Sequence, residues 1–202
     1  VRIIEYKTGK KDFNIVKTYY GIDIQLMVYM EAAMKLVAKM RPGKNVIPAG
    51  VFYYNISDPI VSATTESADE IEDKIKGELR LKGMVNSDKD IAEKMDNTEG
   101  TSLNIPVSRK ADGGFDSRRS KVMNTEQFNM LGRFVDVRAV DTADRIAGGD
   151  IRRSPYKDGQ FSSCDRCPYG AVCGFSVDLP GCNYRKLKKF DDEVLWNNIK
   201  EG

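Results

Sequence analysis

Val1-Arg-Ile-Ile-Glu5-Tyr-Lys7-Thr-Gly9 opens the chain, and its apolar start predicts a buried strand over residues 1–7. Thr8-Gly9-Lys10-Lys11-Asp12 reads as the turn that leaves it. From Ile22 to Met40 the pattern is helical: Leu26, Met30, Ala33 and Val37 form one stripe, with Gln25, Tyr29 and Leu36 beside it. Arg41-Pro42-Gly43 stops that helix. Residues 47–56 (IPAGVFYYNI) are rich in β-branched and aromatic side chains and predict a central strand. Strand, helix, strand in that order implies an α/β core with a crossover helix, because parallel strands need a long connection.

Ser67-x-x-Glu70 is a capping box and starts a helix through Ile71, Ile75 and Leu79. Leu81 to Val85 predicts a short strand, and Ser87 or Asp88 caps a short helix ending at Met95. Residues 96–120 are polar. They are expected to hold a hairpin that pairs Ile105-Pro106-Val107 with Phe115 across Asp112-Gly113-Gly114. Thr125 opens a long helix whose apolar face carries Phe128, Leu131, Val135, Ala139 and Ile146, with Gly148-Gly149 at its end. A cysteine segment and a charged tail follow, with a last turn around Val194, Leu195 and Trp196. The expected organisation is a core over 1–150, with an insert around 57–125, and a cysteine segment with a basic tail over 151–202.

With 202 residues, the chain is long enough for one core, or for one core with a small appendage. Its 32 basic and 30 acidic residues nearly balance, which excludes a histone-like polycation but not a local basic patch. It has no histidine, so Ser–His and Cys–His pairs, histidine-ligated zinc and a histidine base are all excluded. No apolar run is of membrane-spanning length. The chain begins at Val1, inside a strand and without a signal peptide, and is expected to be a piece of a larger protein.

Glu5 and Lys7 lie two residues apart on a strand and so point to one face. A carboxylate there can hold a divalent metal that polarises a phosphate and acidifies a water, while the lysine supports the charge that builds on the phosphorane. In isolation such a pair is most often a surface salt bridge. Its place at the end of a buried strand favours the chemical reading. Gln25 and Tyr29, one helical turn apart, could bind a phosphate oxygen or order the lysine; the plain alternative is a core Tyr29 and a solvated Gln25. All four cysteines lie in Cys164-x2-Cys167-x5-Cys173-x8-Cys182, a clustering that suits an iron–sulfur or zinc site in a reducing compartment, the cytoplasm, better than a disulfide framework. Spacing alone does not separate iron–sulfur from zinc. Arg185, Lys186, Lys188 and Lys189, just past the cysteines, suit phosphate contact with DNA. Arg118, Arg119 and Lys121 could touch a DNA backbone but read first as a solvated loop. The aromatic residues Tyr19, Tyr20, Tyr53 and Tyr54, and the methionines Met27, Met30 and Met34, read as core or rim.

VRIIEYKTG, YYGIDIQLMVYMEAA, IPAGVFYYNI, CDRCPYGAVCGF and NYRKLKK together resemble the C-terminal nuclease domain of the B subunit of bacterial ATP-dependent helicase–deoxyribonucleases, of the AddAB/RexAB type. That domain belongs to the RecB-like branch of the PD-(D/E)xK nucleases. The resemblance covers nearly the whole chain in order. It implies an α/β nuclease core of restriction-endonuclease type, Mg²⁺-dependent hydrolysis of DNA in break repair and recombination, a 4Fe–4S cluster, and an A-subunit partner. It places Glu5 at the metal-binding acid, Lys7 at the motif lysine, Gln25 and Tyr29 at the Q-x3-Y element, and Cys164, Cys167 and Cys173 at the cluster triplet.

Three departures accompany the resemblance. The motif's earlier acid is absent, so this chain alone is expected to be a weak or inactive nuclease. The family's fourth cluster ligand is also absent, so the cluster can be missing from this chain, and Cys182 reads as an incidental thiol. Glu5 stands where aspartate is commoner. Two other functions compete: a non-catalytic DNA-binding or scaffold module with a structural metal, and a stand-alone RecB-like exonuclease. The long stretch over 57–125 favours a large multidomain parent over the latter.

Overall fold

A computed structural model describes residues 1–56, 58–61 and 67–202. Two compact units divide the chain: Val1–Asp136 with Gly202, and Val137–Glu201.

In the first unit the opening stretch forms strand β1, Arg2–Lys7. The sequence predicts one helix from Ile22, but the structure has two. Helix α1, Ile15–Tyr19, is capped by the Asn14 side chain on the Lys17 N–H, and α2 runs Gln25–Met40. Gly21 at φ 76° breaks the path between them, a backbone conformation that L side chains rarely adopt. Strand β2, Gly50–Asn55, runs parallel to β1 with Glu5 opposite Tyr53 and Lys7 opposite Asn55. Between these strands α2 makes the expected crossover and packs on both. Gly50, Val51, Phe52 and Tyr53 are all buried, as befits a strand with neighbours on both edges.

Helix α3, Ala68–Leu79, carries the expected capping box from Ser67 to Glu70. Strand β3, Lys82–Asn86, pairs antiparallel with β2. Helix α4, Lys89–Met95, is capped by Asp88, and β4, Val122–Met123, completes the sheet order β1-β2-β3-β4. One core lies among Phe52, Val85, Ala92, Ile105 and Val107. Buried Asn86 is fully bonded: its Nδ2 donates to Pro48 O at 2.7 Å and Thr125 Oγ1 at 2.8 Å, and its Oδ1 accepts from Asp88 N. It ties the approach to β2, the end of β3 and the start of helix α5, Thr125–Ala147, together.

The hairpin over 96–120 takes another register. Arg109 bridges Phe115, and Thr101 bridges Ser108, while Ile105 and Val107 are buried in the core. Pro106 has no N–H to give a ladder; its carbonyl instead accepts from Lys121 N. Asp96, mostly buried, organises this region by accepting from Ser102 Oγ at 2.7 Å, Asn104 Nδ2 at 2.8 Å and Thr98 N at 2.7 Å. Burial opposes its ionisation, but these donors prevail and hold its carboxyl well below the usual range.

On α5 the buried residues are Phe128, Leu131, Gly132, Phe134 and Val135; Ile146, expected on that face, is exposed. The Tyr19 and Phe134 rings stack at 5.4 Å. In the second unit β5, Tyr156–Asp158, pairs with β6, Phe161–Ser162, and with β7, Arg185–Lys186, in the order β6-β5-β7. Two helices complete it: α6, Gly170–Cys173, closed by Gly174 at φ 61°, and α7, Asp192–Glu201, over the expected last turn. Among the described residues no helix is long and apolar enough to cross a membrane.

Candidate active site

Glu5 and Lys7 emerge at the C-terminal end of β1, on the face that α2 covers, and the first turn of α2 brings Gln25 to them. Lys7 Nζ donates to Glu5 Oε1 at 3.0 Å and to Gln25 Oε1 at 2.9 Å. Gln25 Nε2 donates to Tyr29 Oη at 2.9 Å and, more weakly, to Glu5 Oε1 at 3.4 Å. The four residues singled out from sequence at this end of the chain therefore form one bonded set. Tyr29 is not core, and Gln25 is not simply solvated. The side chains of Glu5 and Lys7 are 25% and 30% exposed, so the set is open to a solute and yet sheltered enough to fix its geometry.

A second layer was not legible in the sequence. Tyr53, opposite Glu5 on β2, is buried, and its ring lies 5.7 Å from Lys7 Nζ and 5.9 Å from Lys11 Nζ. Lys11 is held by Asp23 at 2.6 Å, and its backbone N–H by Asn55 Oδ1 at 3.1 Å. Burial, then the charges of Asp23 and Glu5, push the Tyr53 phenol up to about 12. A group raised in the fold stabilises it below its ordinary value of 10 and loses that contribution as pH climbs through 12. Raising the pH over that interval is therefore expected to cost about 2 kcal/mol of stability. Thermal unfolding of the protein and of Tyr53→Phe checks this; an equally steep alkaline loss in the variant would count against it.

Glu5 Oε2 takes part in no hydrogen bond among the described residues, which leaves a hard oxygen donor open to a divalent cation. A metal site needs more donors than that, and among the described residues no three Cys, Asp or Glu side chains gather closely enough to hold an ion. Mg²⁺ thus finds one fitting ligand here and not a complete shell. The cysteines are not assembled either. Cys164, Cys167, Cys173 and Cys182 are free thiols. The segment is shaped by local bonds: Cys167 N donates to Cys164 O, and Arg153 Nη1 donates to the carbonyls of Cys173 and Gly174 at 3.1 and 3.0 Å. Among the described residues the four thiols are not gathered into one donor set. Arg185, Lys186, Lys188 and Lys189 are placed on and just after β7, with Arg185 and Lys186 exposed.

Residues 1–174 match the family model of the PD-(D/E)XK nuclease superfamily. The chain belongs to that superfamily. Relatives of this nuclease-family chain are named as the B subunit of an ATP-dependent helicase/deoxyribonuclease. The one from Thermoanaerobacter sp. (strain X514) is 35% identical over 203 residues, covering 100% of this chain and 17% of the relative. Those from Clostridium botulinum (strain Hall) and Clostridium acetobutylicum are each 37% identical, over 100% and 99% of this chain and 18% and 17% of the relatives. The chain thus spans under a fifth of the length of the proteins it matches.

Proposed function

We propose that Glu5, Lys7, Gln25 and Tyr29 form the centre of a Mg²⁺-dependent DNA exonuclease domain. This domain would lie at the C-terminal end of the B subunit of a helicase–nuclease complex, acting in the cytoplasm with its A subunit in double-strand-break repair and recombination. The observation that carries this reading is the bonded set at the end of β1: a nuclease-superfamily chain holds a carboxylate, a lysine and an amide together at an open strand end. Glu5 would hold the metal through its open oxygen. A divalent cation, when bound, supplies a Lewis acid for a phosphate oxygen and an acidified water. Lys7, steered by Gln25, would meet the charge that builds on the phosphorane, and Tyr29 would fix the amide of Gln25.

The nuclease core would occupy 1–150, with the insert at 57–125, and residues 151–202 would form a stapling segment. Cys164, Cys167 and Cys173 would hold a 4Fe–4S cluster, or zinc in its place, only once a further donor from outside this chain draws them together; Cys182 would stay outside that set. Arg185, Lys186, Lys188 and Lys189 would meet the DNA backbone. This chain alone would be weak or inactive, because Glu5 is a single ligand.

Full-length protein purified without oxygen tests the reading when assayed for single-stranded DNA cleavage with Mg²⁺ or a chelator, and for iron and sulfide. Cleavage lost in chelator and stoichiometric iron and sulfide are expected. Binding without any metal-dependent cleavage would instead make the domain a scaffold.

A further inference from the structure

A cavity of about 430 Å³ opens beside the Glu5–Lys7 set, and its walls carry six cations against two carboxylates. The cations are Lys10, Lys11, Arg80, Lys82, Arg119 and Lys121; the carboxylates are Asp12 and Glu78. They come from three separate stretches, the turn after β1, the α3–β3 junction and the loop before β4, which the sheet gathers to one place.

Lys11 is paired with Asp23 and Lys121 with Asp12, but the charge of the other four is largely not neutralised. Arg80 donates to the carbonyls of Ile105 and Val107 at 2.8 and 3.0 Å, and Lys82 to that of Gly77 at 3.2 Å; carbonyls fix these side chains without cancelling them. Arg119 is exposed and its guanidinium has no partner among the described residues. Lys10 reaches Glu78 only at 3.7 Å, with its side chain 85% exposed. Such convergence costs self-repulsion and desolvation, and a polyanion relieves both.

Position selects the polyanion. Asn55, which lines the cavity, is the register partner of Lys7 and holds the backbone of Lys11. Lys7 and Lys11 both lie against the Tyr53 ring, so Lys11 of the cavity wall and Lys7 of the bonded set share one neighbour. The cavity falls in the size range of small-ligand clefts, room enough for the sugar–phosphate units of one strand.

We propose that this pocket is a second subsite, holding the phosphate backbone of single-stranded DNA next to the bond to be cut. The inference rests on the nuclease reading of the Glu5–Lys7 set. The pocket fixes register on the strand and reads no bases, since its groups are point charges suited to phosphate.

Residue-level footprinting of the full-length protein with an amine-reactive ester tests this, without divalent metal so that the strand stays intact. Adding single-stranded DNA is expected to lower modification of Lys10, Lys82 and Lys121 several-fold, with recovery at high salt. Lys39 and Lys44, exposed at and past the far end of α2, keep their reactivity. A gel shift establishes that DNA is bound; bound DNA with no protection of the three lysines overturns the proposal. So does protection already complete before DNA is added, which marks a protein partner in the pocket. The Lys7→Ala protein shows the same footprint, so a failed nuclease assignment and a failed subsite are told apart. Lys82→Gln with Arg119→Gln raises KM for short strands and flattens the salt dependence of binding by a slope of about 1.4, two contacts at about 0.7 each. The charge-keeping pair Lys82→Arg with Arg119→Lys retains both values.

Discussion

Replacing Lys7 with alanine in the full-length protein is expected to lower DNA cleavage by about 10³-fold or more while the domain stays folded. The size follows from position. Among the described residues Lys7 is the only cation bonded to both Glu5 and Gln25, so its removal deletes the positive charge that the proposed mechanism assigns to the phosphate and releases two acceptors. Folding survives because the Lys7 side chain is 30% exposed and Glu5 remains partly solvated. Amide exchange over β1 and β2 should match the parent protein. A variant that cleaves within a few-fold of the parent makes the pair an ordinary strand salt bridge.

The second large effect is on the fold. Gly83 sits on β3 opposite Phe52, and a Cβ there would come 1.9 Å from the Val51 carbonyl oxygen and 2.8 Å from Phe52 Cα. These are backbone atoms of the central strand and cannot swing aside as a side chain can. Gly83→Ala is therefore expected to cost about 3 kcal/mol, seen as faster amide exchange in β2 and β3. Tyr53 lies on β2 beside this contact, so the variant should also lose activity through displacement of the Glu5–Lys7 set. Unchanged exchange would show that the sheet can separate there at little cost.

The grouping of Glu5, Lys7, Gln25 and Tyr29 is largely legible because it depends on local periodicity. Alternation along a strand puts Glu5 and Lys7 on one face, and spacing along a helix puts Gln25 and Tyr29 on another. What brings these two faces together is the crossover, which the order of apolar segments implies. Tyr53 reads as core from sequence and is buried, but its place beside Lys7 and Lys11 and the Lys11–Asp23 pair are not legible, because they follow from the β1–β2 register and from a turn whose path no periodicity fixes. Signals were present for two of the boundary errors. Asn14 three residues before Lys17 is a cap signature for α1, and Pro106 weighed against a strand. Ile146 was misplaced for another reason: periodicity gives the apolar face of a helix but not how far along it burial extends, and in α5 burial ends at Val135.

The nuclease assignment stands or falls with Glu5 as the metal-binding carboxylate. A Mg²⁺ titration of single-stranded DNA cleavage by the full-length protein and its Glu5→Gln variant probes that role without intermediaries. Gln keeps the size and an acceptor for Lys7 but removes the charge that would bind the cation. Saturable Mg²⁺-dependent cleavage is expected in the parent, and none in the variant at any Mg²⁺ concentration. Superimposable titrations would contradict the assignment and move the chemistry to another part of the protein.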